Sequence, residues 1–78
     1  TYVGIVSNTL VNLDTLPGTR ISIFGFNALV SSVGLKWNLN KTKLSFPGFN
    51  SLSNQASSSN VQVEVLEGKI LLICFHNF

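Results

Sequence analysis

A single cysteine, Cys74, leaves no partner for an internal disulfide. One histidine and three acidic residues are too few to assemble a metal site readily, so neither a metal nor any other cofactor is expected. Charged side chains make up only 10% of the chain, where a typical soluble domain carries about 25%. The cations Arg20, Lys36, Lys41, Lys43 and Lys69 exceed the acids Asp14, Glu64 and Glu67 by a net +2, too little for a nucleic-acid footprint. No apolar run approaches the ~20 residues of a membrane-spanning helix. No secretory leader pattern stands at the start. Methionine is absent, so Thr1 fits loss of an initiator or cleavage from a precursor equally well.

What is present is a 78-residue chain, 45% apolar, whose polarity comes mostly from Ser, Asn and Thr. The length is that of one domain. A domain so small buries only about 60% of the surface its unfolded chain exposes. Small scaffolds are usually stabilised by disulfides, a metal or a partner. With the first two set aside, a partner is the expected source: a second copy, or the rest of a larger assembly. The low charge suggests an extracellular, cell-surface or virion setting.

Three segments share one design. Each is an alternating run, a short polar or Gly-containing turn, and a second apolar run, which is the pattern of a β-hairpin. They span 11–24, with a turn at Pro17-Gly18; 33–46, with a turn at Asn40-Lys41; and 61–75, with a turn at Glu67-Gly68. Leu16, Thr19, Ser22, Gly25, Phe26, Asn27 and Leu29 recur 23 residues later as Leu39, Thr42, Ser45, Gly48, Phe49, Asn50 and Leu52. The chain is therefore read as an internal repeat. The expected fold is all-β, a small barrel or sandwich built from three hairpins plus an N-terminal strand, with a polar loop at 50–60. A capped helix starting at Asn8 is the weaker reading, because the stretch is rich in β-branched residues.

The registers assign faces. The third hairpin groups Val61, Val63, Val65, Ile70, Leu72 and Cys74 on one side, and the first groups Val11, Leu13, Ile21 and Ile23. The second groups Leu35, Trp37, Leu39, Leu44 and Phe46, which places Trp37 in the core. Leu71, Ile73 and Phe75 are left as an apolar stripe on the outer side of the last strand. Monomers seldom expose large contiguous patches of this kind, so the three residues are expected to form an interface.

Catalytic chemistry is sparse. Cys74 and His76 share a strand face and could pair as nucleophile and base, but a thiol set among Val and Leu is raised in pKa and inert. Thr1 as an N-terminal nucleophile would need a substrate pocket that the chain has little room to build. No phosphate-binding glycine motif occurs. Asn40-Lys41-Thr42 is a glycosylation triplet that matters only in a secreted protein. The repeated segments Gly25-Phe26-Asn27 and Gly48-Phe49-Asn50, with His76-Asn77 as a third, are the candidate ligand loops. An aromatic face beside an amide suits a sugar or peptide. The competing structural reading is that Gly and Asn satisfy turn geometry while Phe plugs the fold.

These readings lead to a non-enzymatic β module for assembly, acting through the stripe Leu71, Ile73 and Phe75. The alternative is a lectin-like or other ligand-binding module using Phe26, Asn27, Phe49, Asn50, His76 and Asn77. A second alternative is an oligonucleotide-binding barrel, in which aromatic residues stack on bases.

Overall fold

The computed structural model describes residues 2–45 and 50–75, without the side chains of residues 51–53. Six strands carry the chain: β1 (Tyr2–Ser7), β2 (Leu10–Asp14), β3 (Arg20–Val33), β4 (Thr42–Leu44), β5 (Ser51–Gln55) and β6 (Asn60–Phe75). All strand pairings are antiparallel. The all-β expectation holds. The stretch after Asn8 enters a strand rather than a helix. Among the described residues no helix is long and apolar enough to cross a membrane.

The strands are rich in Val, Ile and Leu, as a pleated and half-buried surface favours, but they do not pair as the three expected hairpins. The two longest, β3 and β6, lie side by side from Arg20↔Phe75 to Val33↔Gln62. On the far edge of β6 lie β1, along Lys69–Cys74, and β2, along Asn60–Glu64. On the far edge of β3 lie β5, near Arg20–Ile23, and β4, at Ala28–Val30. The sheet thus has two halves, β1-β6-β3-β5 and β2-β6-β3-β4, joined through the two long strands.

The supposed third hairpin is the single strand β6, and Glu67-Gly68 is a bulge within it. The turn at Pro17-Gly18 does form, with the Thr19 N–H donating to the Leu16 carbonyl at 2.9 Å. It joins β2 to β3, which flank β6 on opposite sides instead of pairing with each other. Among the described residues of the second segment, Val33 ends β3 and Thr42–Leu44 form β4, which pairs with Ala28–Val30, while residues 34–41 form a loop.

The sheet must fold over on itself. Drawn straight, the 16-residue β6 would be roughly 50 Å long, against a longest molecular dimension of 31 Å. Asp14 lies beside Asn60 at one end of β6, and Arg20 lies beside Phe75 at the other. Residues 15–19 join those two places, and a chain that short spans at most roughly 20 Å. Bonds across the junction fix the arrangement: Thr15 N–H to the Ser59 carbonyl, Gly18 N–H to the Ala56 carbonyl and Ala56 N–H to the Thr19 carbonyl.

The bend lies where the pairing register of β3 and β6 shifts, around Asn27 and Gly68. Asn27 has φ 50° and Gly68 has φ 75°. Both strands exchange faces there. In β6 the buried residues are Val61, Val63 and Val65 before the bulge and Ile70, Leu72 and Cys74 after it. In β3 the buried apolar side chains are Ile21 and Ile23 before, and Ala28 and Val30 after. A bulge shifts side-chain parity by one residue, so both halves keep their apolar side inward around one shared core. The expected face of the third segment is therefore correct although its hairpin is not, because a tight turn and a bulge both place Val65 and Ile70 on one side.

Candidate functional site

The residues singled out as ligand loops lie in different settings. Gly25-Phe26-Asn27 is inside β3, not in a loop. Phe26 is exposed opposite Lys69, and Asn27 lies at the bend. Asn50 ties segments together: its Oδ1 accepts the Gly25 N–H at 2.7 Å, and its Nδ2 donates to the Ser45 carbonyl at 3.1 Å. Phe49, His76 and Asn77 lie outside the described residues, as do Thr1, Phe46 and Gly48. Cys74 is fully buried, and that burial pushes its thiol pKa up. Among the described residues no three His, Cys, Asp or Glu side chains gather as metal ligands.

Trp37 stands out against this background. It was expected in the core and is 55% exposed. Its segment is not an alternating strand: Leu35 and Leu39 are buried as plugs, and the chain turns at Lys36-Trp37 between them. The indole is carried outward on the resulting loop.

The loop is held from three sides. Asn54 of β5 is 2% exposed. Its Oδ1 accepts the Trp37 N–H at 3.2 Å and the Gln55 N–H at 2.9 Å, while its Nδ2 donates to the Trp37 carbonyl at 2.8 Å. The Lys36 N–H donates to the Gln55 carbonyl at 2.8 Å. Asn38 turns back on the loop, its Oδ1 accepting the Leu35 N–H at 2.9 Å and the Ser32 hydroxyl at 3.3 Å. Ser32 of β3 is buried; its hydroxyl accepts the Leu39 N–H at 2.8 Å, and its own N–H donates to the Leu39 carbonyl at 2.8 Å. A backbone bonded in this way fixes where the Trp37 side chain leaves the loop. The Lys36 ammonium sits over the ring, 4.7 Å from its centre.

The sequence reading missed this site because the alternation Leu35, Trp37, Leu39 fits a strand as well as a loop with two plugs. The available signal was Asn38, whose side chain can mimic a turn. A dip lined by Leu10, Ser31, Ser32, Val33, Gln62 and Glu64 occupies about 80 Å³, well below the ~300–1,000 Å³ of an ordinary small-molecule site.

The family model described as thiamin pyrophosphokinase, vitamin B1 binding domain, matches residues 7–70. The chain belongs to that family. Two solved structures share its fold. Thiamine pyrophosphokinase from Bacillus subtilis superposes with a TM-score of 0.80 at 15% identity, over 97% of this chain and 38% of that one. Thiamin pyrophosphokinase from Candida albicans does so with a TM-score of 0.77 at 15% identity, over 95% of this chain and 30% of that one. The chain thus spans well under half the length of either kinase. No curated protein matches its sequence.

Membership in the vitamin B1-binding family overturns the leading functional expectation. The family is described as a domain of an enzyme, which contradicts the reading of a non-enzymatic assembly module. The structural-protein, oligomer and carbohydrate-binding descriptions fall with it, as does the extracellular, cell-surface or virion setting. The assembly and extracellular readings rested on low charge, the lack of a staple and the apolar stripe, and the carbohydrate reading rested on repeated aromatic–amide segments, the first of which lies within β3. The folded-over sheet buries one shared apolar core.

Proposed function

We propose that this chain is the thiamin-holding part of a thiamin pyrophosphokinase, and that Trp37 is the surface on which thiamin rests. Thiamin joins two planar rings, an aminopyrimidine and a thiazolium that carries a positive charge. An indole face is apolar and electron-rich, and it attracts planar cations. The observation that supports this most is the pairing of an exposed Trp37 with a buried Asn54 that binds its backbone on both sides. A loop backbone held before the ligand arrives loses little freedom on binding. Among the described residues no catalytic cluster accompanies the site, so pyrophosphoryl transfer falls to the remainder of a kinase-length chain.

The chain contains one tryptophan, so its emission reports on this site alone. Titrating thiamin into the protein is expected to quench that emission saturably. Trp37→Ala is expected to weaken thiamin binding, measured by calorimetry, by about tenfold or more. Saturable quenching absent in the wild type, or affinity unchanged in the variant, would remove the indole from the proposal.

We also propose that the outer face around Leu71, Ile73 and Phe75 is covered by that same remainder. Leu71 and Ile73 are half-buried. They lie opposite Ile5 and Val3 of β1, which are 74% and 62% exposed, and Phe75 is also exposed. The stripe read from one strand is thus two strands wide, the kind of contiguous apolar surface that marks a contact.

A further inference from the structure

Gln55 stands beside the Trp37 loop on a strand that is not part of it. Leu35 and Ala56 form an antiparallel bridge. Lys36 is therefore directly opposite Gln55, and its N–H donates to the Gln55 carbonyl at 2.8 Å. Leu35, Ala56 and Asn54 are buried on the inner side. Alternation turns Gln55 and Lys36 to the outer side, where both are exposed. Along its other edge Gln55 pairs with Arg20 of β3, which is exposed as well. Side chains directly opposite one another start about 5 Å apart. Arg20, Gln55 and Lys36 thus make a row across the outer side, an amide between two cations. The preceding residue, Asn54, holds both backbone groups of Trp37. The Gln55 N–H is itself bonded to Asn54 Oδ1 at 2.9 Å, so the amide projects from a backbone held at both its N–H and its carbonyl.

We infer that Gln55 is a specificity-determining residue, which recognises the aminopyrimidine ring of thiamin. This rests on Trp37 being the surface where thiamin binds. An aminopyrimidine has an edge on which the amino group donates a hydrogen bond and the adjacent ring nitrogen accepts one. A Gln amide presents the complementary acceptor and donor, and pairs in the same way with the amino group and N7 of adenine. Charge decides which ring of thiamin goes there. Arg20 and Lys36 repel the thiazolium cation from the space beside Gln55, whereas the aminopyrimidine is neutral. The division of labour follows from the chemistry of the two side chains. An indole offers apolar contact to any flat ring. The amide responds to the amino group itself.

The test compares thiamin with an analogue that has hydrogen in place of the pyrimidine amino group, each titrated against Trp37 emission in the wild type, Gln55→Leu and Gln55→Glu. The wild type is expected to prefer thiamin by about tenfold. Gln55→Leu, similar in size but unable to hydrogen-bond, is expected to bind thiamin about tenfold more weakly and to bind the two probes within about twofold of each other. Gln55→Glu still accepts from the amino group and is expected to keep the preference for thiamin. A merely structural role would lower both affinities by one factor. If Gln55→Leu weakens both probes equally, or neither, or if the wild type does not distinguish them, the inference is overturned while the thiamin reading stands. If neither probe changes the emission of the wild type, the thiamin reading itself fails.

Discussion

At the scale of single residues, Gly68 shows how one sequence signal can serve a different structure. Glu67-Gly68 reads as a hairpin turn, where a β-branched residue would resist φ > 0. In the fold Gly68 sits in the bulge of β6 with φ 75°. The strain argument survives and gains a steric one, since a Cβ there would strike the Asn27 carbonyl and lie 2.9 Å from the Ala28 Cα. Gly18, with φ 93°, has no atom within 4 Å of such a Cβ. Gly68→Val is therefore expected to destabilise the protein by about 1–3 kcal/mol from backbone strain and by a further amount from the clash. Gly18→Val is expected to incur the strain alone. Urea midpoints that ranked the two variants equally would show that the bulge is not closely packed.

At the scale of an element, the loop between β3 and β4 carries the proposed site, and Asn54 is its anchor. Asn54→Ala would strip partners from the N–H and carbonyl of Trp37 and from the N–H of Gln55. Each buried polar group left unpaired costs about 1–3 kcal/mol, although the opened site can admit water. The expected result is a loss of about 2–3 kcal/mol in stability, together with a thiamin affinity reduced about tenfold as the indole loses its fixed position. An Asn54→Ala variant that kept both its melting temperature and its thiamin affinity would show that the loop holds its shape without the anchor. The strand alternation of Leu35, Trp37 and Leu39 hid this loop, because period-two spacing cannot tell a strand face from a loop with two buried plugs.

At the scale of the whole molecule, the folded-over sheet has an inner side filled by one core and an outer side that stays apolar near β1 and β6. In a kinase-length chain with that face covered, Ile73→Asp is expected to uncouple the β domain from its neighbour. A single cooperative melting transition should split into two, with the β signature in circular dichroism retained at low temperature. Outright unfolding of this 78-residue chain by the same substitution would assign Ile73 to the core instead. One unchanged transition in the longer chain would show the face to be free.

The all-β class, the inward set Val61, Val63, Val65, Ile70, Leu72 and Cys74, the turn at Pro17-Gly18 and the special backbone at Gly68 were legible in the sequence, whereas the polar loop expected at 50–60 holds β5 and the strand expected at 33–39 is mostly loop. The legible features follow from period-two alternation and from the residues that tolerate positive φ, both of which are local. Which strand lies beside which was settled by long-range pairing. Local pattern fixes the face of a side chain but not the identity of the neighbouring strand, and a hairpin turn and a bulge leave the same trace in parity. The position of Trp37 was likewise beyond the sequence. It depends on Asn54, seventeen residues away, capturing the loop backbone and turning the indole out.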